Sequence, residues 1–159
     1  NLAGNFKDAK KYDEALKYYN LVYNYHKKNN DYRNIARITN SMGSLYFSLD
    51  SLQKAKTLYM EANQLNEKHG IKQMAGLTTR NLGKVAMKEG RFNEALGYFL
   101  KASAISQKTG TNTRNVGDYL NISMAYAALG NYKKAYINRE IHFRKYDSYP
   151  QQKAPRLQP

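Results

Sequence analysis

Three histidines are the side chains of this sequence best suited to acid–base chemistry or to binding a metal. They stand at His26, His69 and His142. Either chemistry requires such groups to converge with carboxylates or nucleophiles in one site. The chain has no cysteine, which removes thiolate ligands and disulfides, and each histidine lies near the end of a separate helical segment. We therefore expect no metal centre, no cofactor and no enzymatic activity.

Glycine-containing stretches suggest a second chemistry, the binding of a nucleotide phosphate. "NLGK" at 81–84 and "NVGDY" at 115–119 have this composition superficially. A phosphate-binding loop requires glycines at fixed spacing between a strand and a helix. Both stretches fall inside predicted helices, so we interpret their glycines as helix-packing residues.

The excess of basic residues favours acidic binding partners. The 159 residues include 26 Lys and Arg against 12 Asp and Glu, a formal net charge of +14. Such a charge suits nucleic acid, anionic lipid or an acidic peptide. The lysines are scattered, so an ordinary solvated cationic surface is an equally good interpretation. "KKYDEALKYYNLVYNYHKK" at 10–28 interleaves tyrosine with lysine as nucleic-acid-binding surfaces do, but its helical period favours packing of the tyrosines.

The elements that carry these residues repeat every forty positions. Residues 11–22, 51–62, 91–102 and 131–142 align without gaps, and Ala15, Ala55, Ala95 and Ala135 occupy the same column. Apolar residues around each alanine, at spacings of three, four and seven, form one stripe of an α-helix. The tyrosines in these columns are predicted to pack in the core, namely Tyr12, Tyr19, Tyr59, Tyr126 and Tyr132. A period of this length indicates stacked structural units.

Turn-forming residues divide each unit into two helices. Asn30, Gly70 and Gly110 stand where a helix ends in a left-handed conformation. A second column holds turn-compatible residues at Lys10, Asp50, Gly90 and Gly130, of which the last three break the chain between the two helices of a unit. Second helices are predicted at 12–29, 52–69, 92–108 and 132–146, and first helices at 32–49, 72–89 and 112–129.

Two glycines inside first helices require a packing explanation. Gly43 and Gly83 occupy one column, and glycine within a helix costs about 1 kcal/mol relative to alanine. We expect the partner helix to approach each glycine closely at the alanine of the same repeat. A membrane-spanning helix is not predicted. The longest strictly apolar run is "AYAAL" at 125–129, whereas a membrane span needs about 20 apolar residues.

The columns resemble the tetratricopeptide repeat family. Repeat 3 carries the pattern at Leu82, Gly83, Gly90, Phe92, Ala95, Phe99 and Ala102. Repeat 2 carries it at Gly43, Tyr46, Ala55, Tyr59 and Ala62, and repeat 4 at Tyr126, Gly130, Tyr132 and Ala135. The forty-residue period is longer than the common period of about 34 and is similar to that of kinesin light chains, Rap-type regulators and bacterial sensor proteins.

The resemblance implies an all-α fold, a right-handed superhelical α-solenoid of antiparallel helix pairs. We predict a repeat domain over 1–147, divided into a partial repeat at 1–30 and repeats at 31–70, 71–110 and 111–147. Residues 148–159 are predicted to form a proline-containing tail or linker. In the last repeat Arg139 and His142 replace apolar residues, so its second helix is expected either to present a polar face that caps the stack or to dock onto a further element.

The resemblance also implies that first helices line a binding groove. The predicted groove residues are Arg37, Asn40, Ser44, Phe47, Arg80, Lys84, Met87, Lys88, Leu120 and Met124. This surface is basic in the middle and apolar towards its C-terminal end, which suits an acidic peptide with a hydrophobic anchor. Asn40, Arg80, Asn81, Lys84 and Asn121 only partly match the clamp that binds chaperone tails, so we do not predict that clamp.

The sequence predicts a non-catalytic protein- or peptide-binding scaffold, the sensory or interaction module of a larger bacterial regulator. The alternative is a nucleic-acid-binding module that uses the basic surface. Self-association through an open apolar end at residues 1–9 is a third prediction. The chain begins with Asn1, which suggests a fragment or a processed form, and the compartment stays open between cytoplasm and periplasm.

Overall fold

Seven helices make up the computed structural model, which describes the backbone of residues 2–109 and 112–148 and the side chains of 11–109 and 116–147. No strand occurs in these ranges. The helices are α1 (Leu2–Lys28), α2 (Tyr32–Ser48), α3 (Leu52–Lys68), α4 (Lys72–Lys88), α5 (Phe92–Lys108), α6 (Asn112–Ala128) and α7 (Tyr132–Ser148). Helices α2/α3, α4/α5 and α6/α7 form hairpins that stack in chain order. The predicted all-α repeat fold is confirmed.

Three-residue corners join the helices, and each described corner turns on a left-handed residue. The backbone φ is 52° at Asn30 and 63° at Gly70, as predicted, while Gly110 lies outside the described residues. The residue after each left-handed one donates its backbone N–H back into the helix, as Arg91 does to the carbonyl of Ala86 at 2.9 Å. This is the Schellman pattern that ends a helix.

Helix α1 departs from the expected repeat, because it runs through Lys10 without a turn. In the same column Asp50, Gly90 and Gly130 adopt φ of 58°, 73° and 75°. Lysine has no local side-chain hydrogen bond to offset the cost of that conformation. The first unit therefore supplies only a second helix, and α1 packs against α2.

Aspartate caps the helix that follows. Asp31 accepts the backbone N–H of Asn34 at 3.1 Å and its side-chain amide at 2.6 Å, which satisfies a donor of the first turn. These hydrogen bonds hold the pKa of the Asp31 carboxyl below its usual range. His26 Nδ1 lies 3.0 Å from the same carboxylate, so the corner is tied to the end of α1.

An apolar layer fills the half of each hairpin nearest its turn. One cluster contains Ala55, Tyr59, Leu82 and Val85, and the next contains Ala86, Ala95, Phe99, Ile122 and Ala125. Each joins a hairpin to the next first helix, so burial of the repeat columns both closes and stacks the hairpins. Burial raises the pKa of Tyr59, whose hydroxyl donates to Ser44 Oγ at 3.1 Å.

Gly43 and Gly83 lie nearest to aromatic rings of the partner helix. A Cβ at Gly83 would stand 2.6 Å from Phe99 Cε1, and one at Gly43 would stand 2.8 Å from Tyr59 Cδ1. The partner helix thus approaches both glycines closely, as expected, and the nearest group is an aromatic ring rather than Ala55 or Ala95. The missing side chain makes room for the ring that stands four residues after the alanine on the second helix.

A polar layer of buried side chains crosses the half of the hairpins away from the turns, among apolar residues such as Ile38, Ala62 and Ala102. Asn81 Nδ2 donates to Asn40 Oδ1 at 3.0 Å and joins α4 to α2. Arg80 donates to Asp118 through Nε and Nη2 and joins α4 to α6. Asn66 Nδ2 donates to Thr78 Oγ1 at 3.2 Å and joins α3 to α4. Each of the two described junctions between hairpins thus has its own polar contacts, which the repeat pattern of the sequence does not predict.

Candidate functional site

A pocket lies where the three first helices α2, α4 and α6 meet, with α5 behind them. Its volume is about 270 Å³, and it is lined by Phe47, Lys84, Met87, Lys88, Phe99, Asn121 and Met124. We call this the first-helix pocket. Its position follows from the forty-residue period, because Phe47 and Met87 stand in one column and Lys84 and Met124 in another. Equivalent positions of successive first helices thus form one continuous surface.

The floor of the first-helix pocket is apolar and its rim is cationic. Lys88 Nζ stands 4.8 Å from the centre of the Phe47 ring and 2.8 Å from Asp50 Oδ1. The aspartate therefore holds the ammonium over the ring, as a cation–π contact requires. Lys84 is exposed and has no ion-pair partner among the described residues. The pocket consequently offers a hydrophobic recess beside a positive charge that is open to an external carboxylate.

Five of the ten predicted groove residues line this pocket, namely Phe47, Lys84, Met87, Lys88 and Met124. Arg37 and Ser44 are exposed on α2 outside it, and Leu120 is 37% exposed on α6. Asn40 and Arg80 are 6% and 9% exposed and belong to the polar layer. Asn40 and Arg80 were predicted to face the groove, but their side chains bond to the neighbouring hairpin instead, Asn40 to Asn81 and Arg80 to Asp118.

Two pocket residues were absent from the predicted groove. Phe99 is 1% exposed and was assigned to the core, although one part of its ring reaches the pocket floor. Asn121 stands forty residues after Asn81. This shared column is the sequence signal that could have added Asn121 to the predicted groove. Asn81 itself is turned into the polar layer, so the same column serves packing in one repeat and the pocket in the next.

The three histidines occupy three separate environments. His69 stacks on Tyr32 with ring centres 3.8 Å apart, and His142 Nδ1 lies 2.8 Å from the Val116 carbonyl oxygen. His26 contacts Asp31. Among the described residues, no group of three or more His, Cys, Asp or Glu could hold a metal ion. None of the described helices is both long and apolar enough to cross a membrane.

A second depression lies on the first hairpin of the stack, between α2 and α3. Its volume is about 320 Å³, and its lining includes Met42, Tyr46 and Leu58. Met42 and Leu58 stand in the columns of Leu82 and Tyr98, which the preceding hairpin covers in the next repeat. Among the residues whose side chains are described, this depression is therefore an open part of the stacking surface, whereas the first-helix pocket lies on the side of the stack.

Comparisons with known proteins agree with this architecture. A family model for the tetratricopeptide repeat matches residues 36–69. BtubC (BKLC) from P. vanneervenii has a TM-score of 0.76 at 21% identity, over 93% of this chain and 63% of its own. The TPR domain of Arabidopsis FLU has a TM-score of 0.70 at 19% identity, over 74% of this chain and 99% of its own.

RapI in its apo form has a TM-score of 0.61 at 18% identity, over 91% of this chain and 65% of its own. This chain therefore spans less than two thirds of the length of BtubC and of RapI. No curated protein gives a significant match. The family model thus shows one tetratricopeptide repeat at 36–69, and the solved structures show that the chain shares their fold of stacked helical hairpins.

Proposed function

We propose that the chain is a non-catalytic interaction module that binds a peptide segment of another protein in the first-helix pocket. The observation that carries this proposal is the apolar recess formed by Phe47, Met87 and Met124 beside the ammonium groups of Lys84 and Lys88. An aliphatic or aromatic anchor fits the recess, and an acidic residue next to the anchor reaches Lys84. Binding of this kind uses side chains alone, since the backbone of the three helices is already hydrogen-bonded.

The role of the module in a larger bacterial regulator is the finer part of the proposal. It is supported by the forty-residue period, which resembles the repeats of bacterial sensor and regulator proteins, and by the fold shared with RapI. A sensory module requires that a ligand change the relation between hairpins. The first-helix pocket supports this role, because a ligand bound there would contact three successive hairpins.

Binding of defined fluorescent peptides tests the pocket. The probe is a short peptide with one phenylalanine flanked by glutamates, and its two controls carry lysine for glutamate or serine for phenylalanine. We expect saturable binding of the probe alone, weakened about tenfold or more by Lys84→Glu, which replaces attraction by repulsion. Lys101→Glu is the matched control, because Lys101 has 60% of its side chain exposed on α5. Equal affinities of these two variants, or equal binding of the lysine peptide, would contradict the proposal.

A second candidate function is nucleic-acid binding through the basic surface. It is favoured by Tyr18 and Tyr25 on α1, which are 64% and 65% exposed among the lysines of the 10–28 stretch. Exposed rings beside cations suit stacking with single-stranded bases. A gel shift with a single-stranded oligonucleotide at about 50 mM salt tests it, since phosphate binding is strongest at low salt. The absence of a shift there would rule this function out.

A further inference from the structure

The outer flank of the last helix carries exposed aromatic side chains. Tyr132, Tyr136, Phe143 and Tyr146 are 73%, 66%, 47% and 54% exposed, and Arg139 is exposed between them. These residues follow one another at spacings of three and four, so they form one stripe along α7. We call these five residues the α7 stripe. The predicted polar cap is thus wrong for this flank, and Tyr132 is not a core residue.

The corresponding flanks of α3 and α5 are covered. The same columns hold Leu52, Lys56, Tyr59, Asn63 and Asn66 in α3, and Phe92, Leu96, Phe99, Ser103 and Ser106 in α5. All ten of these residues are buried or half-buried, whereas all five of the α7 stripe are exposed. The α7 stripe therefore occupies the stacking surface of the last described hairpin.

A following first helix provides the cover in the inner repeats. Tyr59 packs with Leu82 and Val85 of α4, and Phe99 packs with Ile122 and Ala125 of α6. Asn66 near the end of α3 bonds to Thr78 near the start of α4, so the covering helix runs antiparallel to the covered one. Within the same molecule, the established occupant of this surface is an antiparallel amphipathic helix.

The size and charge of the side chains in the α7 stripe determine which helix can pack on it. Phe143 and Tyr146 stand where α5 has Ser103 and Ser106 and where α3 has Asn63 and Asn66. Large rings at these positions prevent an approach as close as that of α4 or α6 unless the occupant has small residues opposite them. Arg139 stands where the inner repeats have Tyr59 and Phe99 and lies over the Phe143 ring at 5.7 Å. A carboxylate on the occupant would pair with this guanidinium.

The positive charge of the chain favours an acidic helix over a second copy of the chain as the occupant of the α7 stripe. Helix α7 contains five basic side chains against two acidic ones, and the whole chain has a net charge of +14. A second copy of this chain would bring the same positive charge to the surface, and like charges oppose association. An acidic helix gains from the same field. Aromatic side chains and arginine are also the residues most enriched at the energetic centres of protein interfaces.

We propose that the α7 stripe is the docking site for an amphipathic helix of a separate protein, apolar along one stripe and acidic elsewhere, seated antiparallel to α7. The occupant takes the place that α6 takes on α5. Leu120 of α6 extends the apolar surface, because it stands in the column of Arg80 and is 37% exposed. This site is separate from the first-helix pocket and does not depend on the function proposed for that pocket.

The test uses two synthetic helical peptides with the same leucine and alanine stripe, one with glutamate and one with lysine on the other faces. Affinity is measured by fluorescence anisotropy with the full chain. We expect saturable binding of the glutamate peptide, weakened about tenfold or more by Arg139→Glu and by the pair Tyr136→Ser and Phe143→Ser. Lys101→Glu and Tyr18→Ser are the controls, since they change an exposed lysine on α5 and an exposed tyrosine on α1 outside both proposed sites, and both should keep the wild-type affinity.

Several results would overturn this proposal. The proposal fails if the glutamate peptide does not bind, or if the lysine peptide binds equally well. It also fails if the Arg139→Glu variant binds the glutamate peptide with the wild-type affinity. An oligonucleotide complex, or a dimer by light scattering, that disappears in the Tyr136→Ser and Phe143→Ser variant would assign the α7 stripe to another occupant. Circular dichroism of each variant checks folding, and Tyr132→Ser replaces any variant that fails to fold.

Discussion

The two layers of the stack are built from opposite kinds of side chain. The apolar layer near the turns uses the same residue classes in its two clusters, with alanine, an aromatic ring and a branched aliphatic in fixed columns. The polar layer uses a different pair at each junction, Asn40 with Asn81 between α2 and α4, and Arg80 with Asp118 between α4 and α6. We expect the apolar layer to stack similar repeats in any order, and the polar layer to favour one order of repeats over another.

This difference has a physical cause. Apolar burial is non-directional, so it stabilises any close contact in proportion to area. A buried polar group that loses its partner costs free energy, so a wrongly ordered junction would leave Asp118 or Asn40 without a matching group. We infer that the polar layer contributes to specificity more than to net stability, which the following substitutions test.

The largest effect is expected from breaking the buried ion pair. Asp118 is 0% exposed and Arg80 is 9% exposed, so Asp118→Ala leaves a cation in the polar layer without its carboxylate. Removal of one partner of a buried pair costs about 3–5 kcal/mol. Denaturant unfolding measures this loss as a lower transition midpoint with an unchanged slope.

Replacing both partners sharpens the same comparison. Arg80→Met combined with Asp118→Leu removes the charges together, and buried pairs replaced by apolar residues often give neutral or greater stability. We expect the double variant to unfold close to the wild-type midpoint or above it. A double variant as unstable as Asp118→Ala would mean that the polar layer supplies net stability.

The apolar layer is tested by one substitution made at two glycines. Gly83→Ala places a Cβ 2.6 Å from a ring that is 1% exposed, so it should destabilise by about 1–3 kcal/mol through overpacking. Gly97→Ala in α5 meets nothing within 4 Å and should stabilise by up to about 1 kcal/mol through helix propensity. Thermal unfolding of the two variants gives the sign of each change. The same sign in both would contradict the assigned contact with Phe99.

A smaller effect is expected at the junction between α2 and α4. Asn81→Ala removes the donor to Asn40 Oδ1, both residues being buried, and should destabilise by about 1–2 kcal/mol. Asn138→Ala is the matched control, because its amide donates to the Lys134 carbonyl oxygen at the surface. Equal losses in the two variants, measured by denaturant unfolding, would show that burial of the pair adds nothing.

The smallest effect is expected at the rim of the first-helix pocket. Lys88 and Asp50 have 44% and 77% of their side chains exposed, and exposed ion pairs contribute about 0–1 kcal/mol. Lys88→Ala should therefore change the unfolding midpoint little, and less at high salt than at low salt. A loss that persists at high salt would indicate that the contact of Lys88 with Phe47 stabilises the fold.

The sequence predicted most of the fold because the apolar layer is periodic. Helix ends from α2 to α7 agree with the predicted ends within two residues, since the corners repeat with left-handed residues. The turn expected at Lys10 failed because column position alone does not make lysine adopt a left-handed backbone. The contact of Gly83 with Phe99 was missed because Ala95 and Phe99 share one face of a helix, and sequence spacing does not say which is nearer.

The candidate site was less predictable than the fold. Lys84, Met87 and Lys88 lie at the first-helix pocket, because their columns face away from the apolar layer. Arg80 lies on α4 at the boundary between the face that packs on the next hairpin and the face that lines the pocket. Helical periodicity does not decide towards which of these faces the long arginine side chain turns. Its partner Asp118 is thirty-eight positions away and belongs to no repeated column, so no internal pattern pointed to the pair.

Methyl NMR of the five methionines tests the central claim, that the stack binds a peptide in the first-helix pocket. Met87 and Met124 line this pocket, Met42 lines the depression between α2 and α3, and Met60 is 46% exposed on α3. On titration with the phenylalanine–glutamate peptide, we predict shifts of the Met87 and Met124 methyl signals and none at Met42 and Met60. Shifts confined to Met42 or Met60 would contradict the account.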